Sequence, residues 1–303
     1  MVDATGKNDK AACIYALLSV LMWSTVASAF KLALRDLDYA QLLLYSSITA
    51  LIILAIVVVF KNKTRLVLSF KPKEYALSAV LGLLNPCLYY IVLFKAYSLL
   101  PAQQAQPLNF TWPIVLVLFS SIFLKQKIGW RSVAAVVISF AGVVVISTNG
   151  SFAAFKDTDA LGVGLAVGSS VIWAAFWLLN TRDRRDDEAK LFLNFLFGTI
   201  FVAIFAFIGG IPALPPVRGL LGAAYVGAFE MGVTFVLWQR SLRLARNAAQ
   251  VGNLIYLSPF ISLFFIGSVV GERIHVSTLV GLGLIVAGIV AQQWLARRRR
   301  TGQ

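Results

Sequence analysis

The sequence predicts an all-α integral membrane protein: ten transmembrane helices arranged as two inverted five-helix repeats, 1–150 and 151–303, around a central cavity. Three observations predict it. Of 303 residues, 59% are hydrophobic and 13% are charged, with a mean hydropathy of +0.82; a soluble domain carries about 25% charged residues. Apolar runs long enough to cross a hydrocarbon core of about 30 Å, roughly twenty residues each, recur along the whole chain. Residues also recur at a constant offset between the two halves.

Taken in order, the first span is expected at 11–34, behind Lys7 and Lys10. Ala27-Ser28-Ala29 mimics a signal-peptide cleavage site, but the apolar run exceeds the ~7–15 residues of a signal core and has a counterpart later, so it is read as retained. The next spans are expected at 40–60, 74–99 and 103–124, the last two carrying internal prolines. A fifth at 131–148 stops at Asn149-Gly150, and a sixth fills 160–181. The seventh, 190–210, ends before Pro212, Pro215 and Pro216; the remaining three fall at 218–241, 247–270 and 276–296.

The basic residues set the orientation. With the N-terminus inside, 21 of the 27 Lys and Arg fall in inner segments: near 7–10, 61–73, 125–131, 182–190, 240–246 and 297–300. Lys31, Arg35, Lys95, Lys156, Arg218 and Arg273 remain outside. That bias places both termini in the cytoplasm of a bacterial inner membrane. It also explains the formal charge of +14 without nucleic acid, because the basic residues form short clusters between apolar runs. Cys13 and Cys87, both in apolar runs, read as packing residues.

The repeat follows from matched positions. Trp23 and Arg35-Asp36 recur as Trp173 and Arg185-Asp186 at an offset of 150. At an offset of 146, Ala102, Gln104, Pro113, Phe119, Ile128, Ala141 and Gly142 meet Ala248, Gln250, Pro259, Phe265, Ile274, Ala287 and Gly288. Five helices is an odd number, so the second half enters the bilayer upside down relative to the first. Secondary transporters are built this way, with substrate bound at mid-depth where the halves meet.

Glu230 stands alone in the middle of the apolar run Gly219–Gln239. A carboxylate there costs roughly 2.5–3.5 kcal/mol to insert, so it is expected to face a watery cavity. It could receive the ammonium of an amino acid or carry a proton in exchange; the plainer role is a neutral acid hydrogen-bonded between helices. Trp23, Trp112, Trp173 and Tyr256 fall near helix middles, too deep for the interfacial belt. Trp130, Trp238 and Trp294, near span ends, are assigned to that belt. Trp173 and Trp177 share a face, as do Asn85 and Tyr89, and Pro86 and Tyr90. With Asn109 and Glu230 these form the candidate substrate-binding set. Pro86, Pro113 and Pro259 are candidate hinges, since an internal proline frees a carbonyl. Lys31 and Lys95 are expected to snorkel outward, and His275 to lie in a solvated turn. Gly281, Gly283 and Gly288 read as helix-contact residues. No metal-ligand cluster, nucleotide loop or nucleophile elbow appears, so neither cofactor nor metal nor enzymatic activity is expected.

The paired five-helix halves, Trp23 and Trp173, and Val270-Gly271-Glu272-Arg273 resemble the EamA repeat of the drug/metabolite transporter superfamily. The first half departs from the pattern, with Lys125-Gln126-Lys127 where Gly-Glu-Arg would recur. The aromatic set is similar to that of bacterial aromatic amino acid exporters of the YddG type. The resemblance implies export across the inner membrane by alternating access. The substrate would be a small amphipathic metabolite, with aromatic and neutral amino acids favoured, carried by a monomer whose other partner is the lipid bilayer. The alternatives are a cationic drug or other metabolite exporter and, from another class, a non-transporting membrane scaffold or lipid-handling enzyme.

Overall fold

The computed structural model describes residues 7–123, 130–150, 159–210, 215–246 and 251–301, without the side chains of 117, 120–123, 130–132, 292–293 and 295–301. Pro212, the Lys125-Gln126-Lys127 triplet, Ile128, Ala248, Gln250 and the Trp130 side chain therefore lie outside the described residues. Among those described there are helices and turns and no strand.

In chain order the helices are α1 (Asp9–Ala33), α2 (Tyr39–Phe60) and α3 (Pro72–Leu99), then α4 in two pieces (Ala102–Asn109 and Trp112–Phe123) and α5 (Trp130–Ser147). They continue as α6 (Ala160–Asn180), α7 (Asp187–Ile208), α8 (Val217–Leu244), α9 (Asn253–Val270) and α10 (Val276–Thr301). A short helix, Thr64–Leu68, fills the α2–α3 connection. Seven of these, α1, α2, α3, α6, α7, α8 and α9, are long and apolar enough to cross a membrane. Shorter apolar stretches occupy Val133–Ser147 and Val276–Ala291.

Polar residues start the helices where the apolar pattern begins. Asp38 and Gln41 make a reciprocal capping box at α2. Asn8, Asp159 and Asp186 accept backbone N–H groups at α1, α6 and α7. Each satisfies a donor that the helix leaves free. Asn149 and Gly150 end α5 with positive φ, as the Asn-Gly pair predicts.

Two irregularities matter for the site. α3 and α8 are both 28 residues long, and each carries a π-helical turn at its centre, Leu83–Leu88 and Gly227–Gly232. Asn85 and Glu230 both fall within these turns, each 13 residues after the first residue of its helix, Pro72 and Val217. α4 and α9 change course just before Pro113 and Pro259. The second piece of α4 starts at Trp112, and an α-helix starts at Ser258 after the 3-10 turn Asn253–Leu257.

Helices early in the chain pack on helices late in it. α2 lies on α8, where Ser46 Oγ donates to the Ala223 carbonyl (3.0 Å) and a Cβ on Gly227 would overlap the Ser46 carbonyl oxygen. α7 lies on α3, where a Cβ on Gly82 would overlap the Asn194 carbonyl oxygen. α5 and α10 pack on each other through Gly142, Gly281 and Gly288. Gly283 differs from its sequence expectation: a Cβ there meets nothing within 4 Å, so it makes no close helix contact. Gly227→Ala is expected to lower the thermal midpoint, by an overpacking cost of about 1–3 kcal/mol. Gly283→Ala should leave it within error, and equal midpoints would contradict the packing.

The basic segments 61–74 and 183–190 meet at one end of the bundle. Lys61 pairs with Glu188, and Lys63 Nζ lies 2.6 Å from both Asp186 and Glu188. Arg185 grips Asp183 (2.7 Å) and donates to the Glu74 carbonyl (2.8 Å). Burial alone would push the Asp183 carboxyl up, but the Arg185 guanidinium outweighs it and holds the carboxyl below its ordinary value. A depressed carboxyl adds stability above its unfolded value, lost as the pH falls through the folded one. Asp183→Asn should therefore lower the thermal midpoint at neutral pH. The difference should fade as pH drops below the ordinary 3.8. A difference that persists undiminished in acid would contradict it.

Candidate functional site

A cavity of about 760 Å³ runs through the bundle, bounded by α1, α3, α4, α6, α8 and α9. Phe30 and Tyr97, each 2% exposed, lie toward one end. Thr181, Arg182, Leu242 and Gly252 line it at the other, where the basic segments meet.

Glu230 is central and 6% exposed. The π-helical turn of α8 frees backbone carbonyls, and side chains answer them. Trp23 Nε1 donates to the Glu230 carbonyl (3.3 Å), and the Thr234 hydroxyl to that of Phe229. Glu230 Oε1 accepts from the Tyr90 hydroxyl (3.0 Å), while Oε2 is buried without a partner. The Tyr89 hydroxyl donates to Asn109 Oδ1 (3.3 Å), and Asn109 Nδ2 to Ser169 (2.8 Å). Two separate sets of polar contacts thus back a wall rich in aromatic and aliphatic side chains. In that wall the Trp173 ring is tilted 30° from Tyr89 at 4.5 Å and meets Trp177 edge-on at 5.9 Å.

The structure brings Trp23, Tyr89, Asn109, Trp112, Trp173, Trp177, Glu230 and Tyr256 onto one cavity surface. Tyr90 stands behind Glu230, fully buried. Asn85 is also fully buried, outside the lining, with neither amide atom partnered. Of the hinge candidates, Pro113 lines the cavity, whereas Pro86 packs against Gly198 on α7. Pro259 heads its helix beside Ser258, whose hydroxyl accepts from Ser24 (3.3 Å).

Among the lining residues that escaped the sequence reading, three stand out. Trp238, assigned there to the interfacial belt, is 7% exposed and lines the cavity, edge-on to Trp23 at 5.3 Å. Its position two turns beyond Glu230 on one face carried the signal. Gln106 sits one turn before Asn109, and Arg182 follows the end of α6. Lys31 also differs from its expectation: instead of snorkelling it donates to the Tyr97 and Leu100 carbonyls (2.9 and 2.8 Å).

At the end opposite the basic segments, the α9–α10 turn is fastened to the start of α4. Glu272 accepts from the backbone N–H of Ala102 (2.8 Å) and Gln103 (3.0 Å), filling the anionic position that a helix N-terminus favours. The Gln103 side chain donates to the Arg273 carbonyl (2.9 Å) and accepts from the backbone N–H of His275 (2.9 Å). Gln104 adds a bond to Asn149 (2.7 Å), and Arg35 one to the Val270 carbonyl (3.2 Å).

Known proteins are similar to this chain in sequence and in fold. It is 26% identical to a transporter of Archaeoglobus fulgidus, over 93% of this chain and 96% of that one. It is also 26% identical to the aromatic amino acid exporter YddG of Ancylobacter novellus, over 69% of this chain and 73% of that one. A crystal structure 21% identical in sequence matches the fold with a TM-score of 0.66, over 96% of this chain and 99% of the other. The pattern of the EamA-like transporter family matches residues 10–148 and again 160–291, and the chain belongs to that family.

Proposed function

We propose that the chain is a secondary exporter of small amphipathic metabolites, above all aromatic and neutral amino acids. It would sit in a bacterial inner membrane with both termini in the cytoplasm and work by alternating access. The observation that carries this reading is the aromatic cavity with a buried carboxylate at its centre. An amphipathic amino acid fits such a wall: its flat side chain stacks on indole and phenol faces, and its ammonium meets Glu230.

Ten spans in two inverted halves account for the packing. α4, in its two pieces, with α5 and α10, which hold the shorter apolar stretches, would complete the count. The central turns of α3 and α8, the breaks before Pro113 and Pro259, and the crossed contacts of α2 with α8 and α7 with α3 support a two-fold relation in the membrane plane. The basic end is cytoplasmic in this reading, so the cavity opens inward and the Glu272 fastening closes the outside. The similarity to an aromatic amino acid exporter supports the substrate class.

The test is flux into liposomes holding purified protein, with tryptophan, leucine, lysine and a quaternary ammonium dye, with and without a pH gradient. Tryptophan and leucine should move and lysine should not. Flux of the dye alone would replace amino acids by organic cations, and no flux at all would favour a non-transporting protein.

A further inference from the structure

The acids at the basic end of the bundle are spent in pairs. Arg185 holds Asp183, Lys63 holds Asp186 and Glu188, Lys190 and Arg243 hold Asp187, and Arg246 lies 3.8 Å from Asp9. Arg182 stands among them exposed and, among the described residues, without a side-chain partner. It is also the one cationic side chain on the described cavity lining, as Glu230 is the one anionic side chain. The two lie at different levels. Glu230 meets Tyr90, whose neighbour Tyr89 lies 4.5 Å from the Trp173 ring, whereas Arg182 follows nine residues after Trp173. At 1.5 Å per residue that is roughly 13 Å further along α6. The α-amino and α-carboxyl groups of one amino acid share a carbon atom and do not span such a gap. From one level to the other the wall carries donors that no described acceptor takes up, the indole N–H groups of Trp173, Trp177 and Trp238, none of them sealed from the surface. Each suits a carboxylate oxygen.

We propose that Arg182 selects for carboxylates at the mouth of the cavity, a first station that draws in ligands bearing a carboxylate and turns organic cations away before they reach Glu230. Its guanidinium is not neutralised by a neighbouring acid, its planar fork fits a carboxylate with two parallel hydrogen bonds, and a fixed charge at the mouth of a cleft with low-dielectric walls acts on every entering ion. A zwitterion satisfies both levels in turn. A bare cation is opposed at the first and a bare anion at the second, so the pair narrows the substrate class to zwitterions. This assignment rests on reading the cavity as the transport path, and it adds Arg182 as a specificity-determining residue.

The experiment reads the charge at the mouth without requiring transport. In purified full-length protein carrying Cys13→Ala and Cys87→Ala, Leu178→Cys places a thiol on the cavity wall one turn before Arg182. Its rates of reaction with an anionic methanethiosulfonate (ethylsulfonate) and a cationic one (ethyltrimethylammonium) are compared, each divided by the rate with a free thiol. Arg182→Gln should lower the anion-to-cation ratio by about three- to tenfold, an effect that shrinks in molar salt. Arg182→Lys should preserve the ratio. Arg184→Gln, which removes an exposed cation that is not on the lining, should change it by less than about twofold. A ratio unmoved by Arg182→Gln, or moved as far by Arg184→Gln, would overturn the proposal. A second arm uses ligands. Half-protection of the same thiol from a neutral maleimide should need about three- to tenfold more tryptophan in Arg182→Gln, and no more tryptamine. Equal shifts for the two compounds would overturn the carboxylate assignment. Tryptophan that protects neither protein would remove the transport-path reading, while the rate ratio would still decide the role of Arg182.

Discussion

Glu230→Gln is expected to lower amino acid transport in liposomes by about ten- to a hundredfold, the effect of losing a charge-assisted hydrogen bond to substrate in a site shielded from water. Glutamine keeps the shape and one carbonyl oxygen, so the Tyr90 hydroxyl still finds an acceptor and the fold should survive. What changes is that the side chain can no longer ionise. Glu272→Gln should cost much less, because Glu272 lies at the end of the bundle and serves the start of α4 rather than the cavity. The check is a ratio of initial rates at equal protein incorporation. Equal losses in the two variants would contradict the separate roles assigned to the two carboxylates.

Glu272→Ala combined with Gln103→Ala is expected to raise access to the cavity from the outer face by about ten- to a hundredfold. Each charge-assisted bond is worth roughly 1.5–3 kcal/mol, and a shift of that size moves a two-state equilibrium by this factor. The double variant removes both the carboxylate that holds the Ala102 and Gln103 N–H groups and the amide that spans Arg273 and His275. The readout is the rate at which an impermeant maleimide labels Leu93→Cys from outside, in a background with Cys13→Ala and Cys87→Ala. Leu93 lines the cavity and is 2% exposed, so it reacts only when the outer side opens. A rate unchanged from the singly intact parent would remove the fastening role.

Much of this architecture is legible in the sequence because hydrocarbon is an unforgiving solvent. Chain that crosses it must be apolar and satisfy its backbone internally, so the spans announce themselves by length. The expected 40–60 and 160–181 meet α2 and α6 within a residue. Glu230 stands out for the same reason, since a lone carboxylate there needs a purpose. Three-dimensional proximity is harder to read. Asn85 and Glu230 look alike as polar residues in mid-span and occupy matching turns, yet one lines the cavity and the other packs away from it. The choice depends on which neighbour fills the groove, and periodicity does not carry that. Trp238 reads as too near a helix end for the cavity until the length of α8, 28 residues, is known. Glu272 is a loop residue in the sequence; only the fold brings it to the start of α4, 170 positions away.

The central claim is that the aromatic space around Glu230 is the transport path and opens at the basic end of the bundle. Cysteine placed at Leu178, on the cavity wall, tests it most directly in vesicles of known orientation. It should react with an impermeant maleimide from the same face as a cysteine at Lys63, and saturating tryptophan should slow that reaction several-fold. Labelling from the opposite face, or at a rate indifferent to every transported compound, would contradict it.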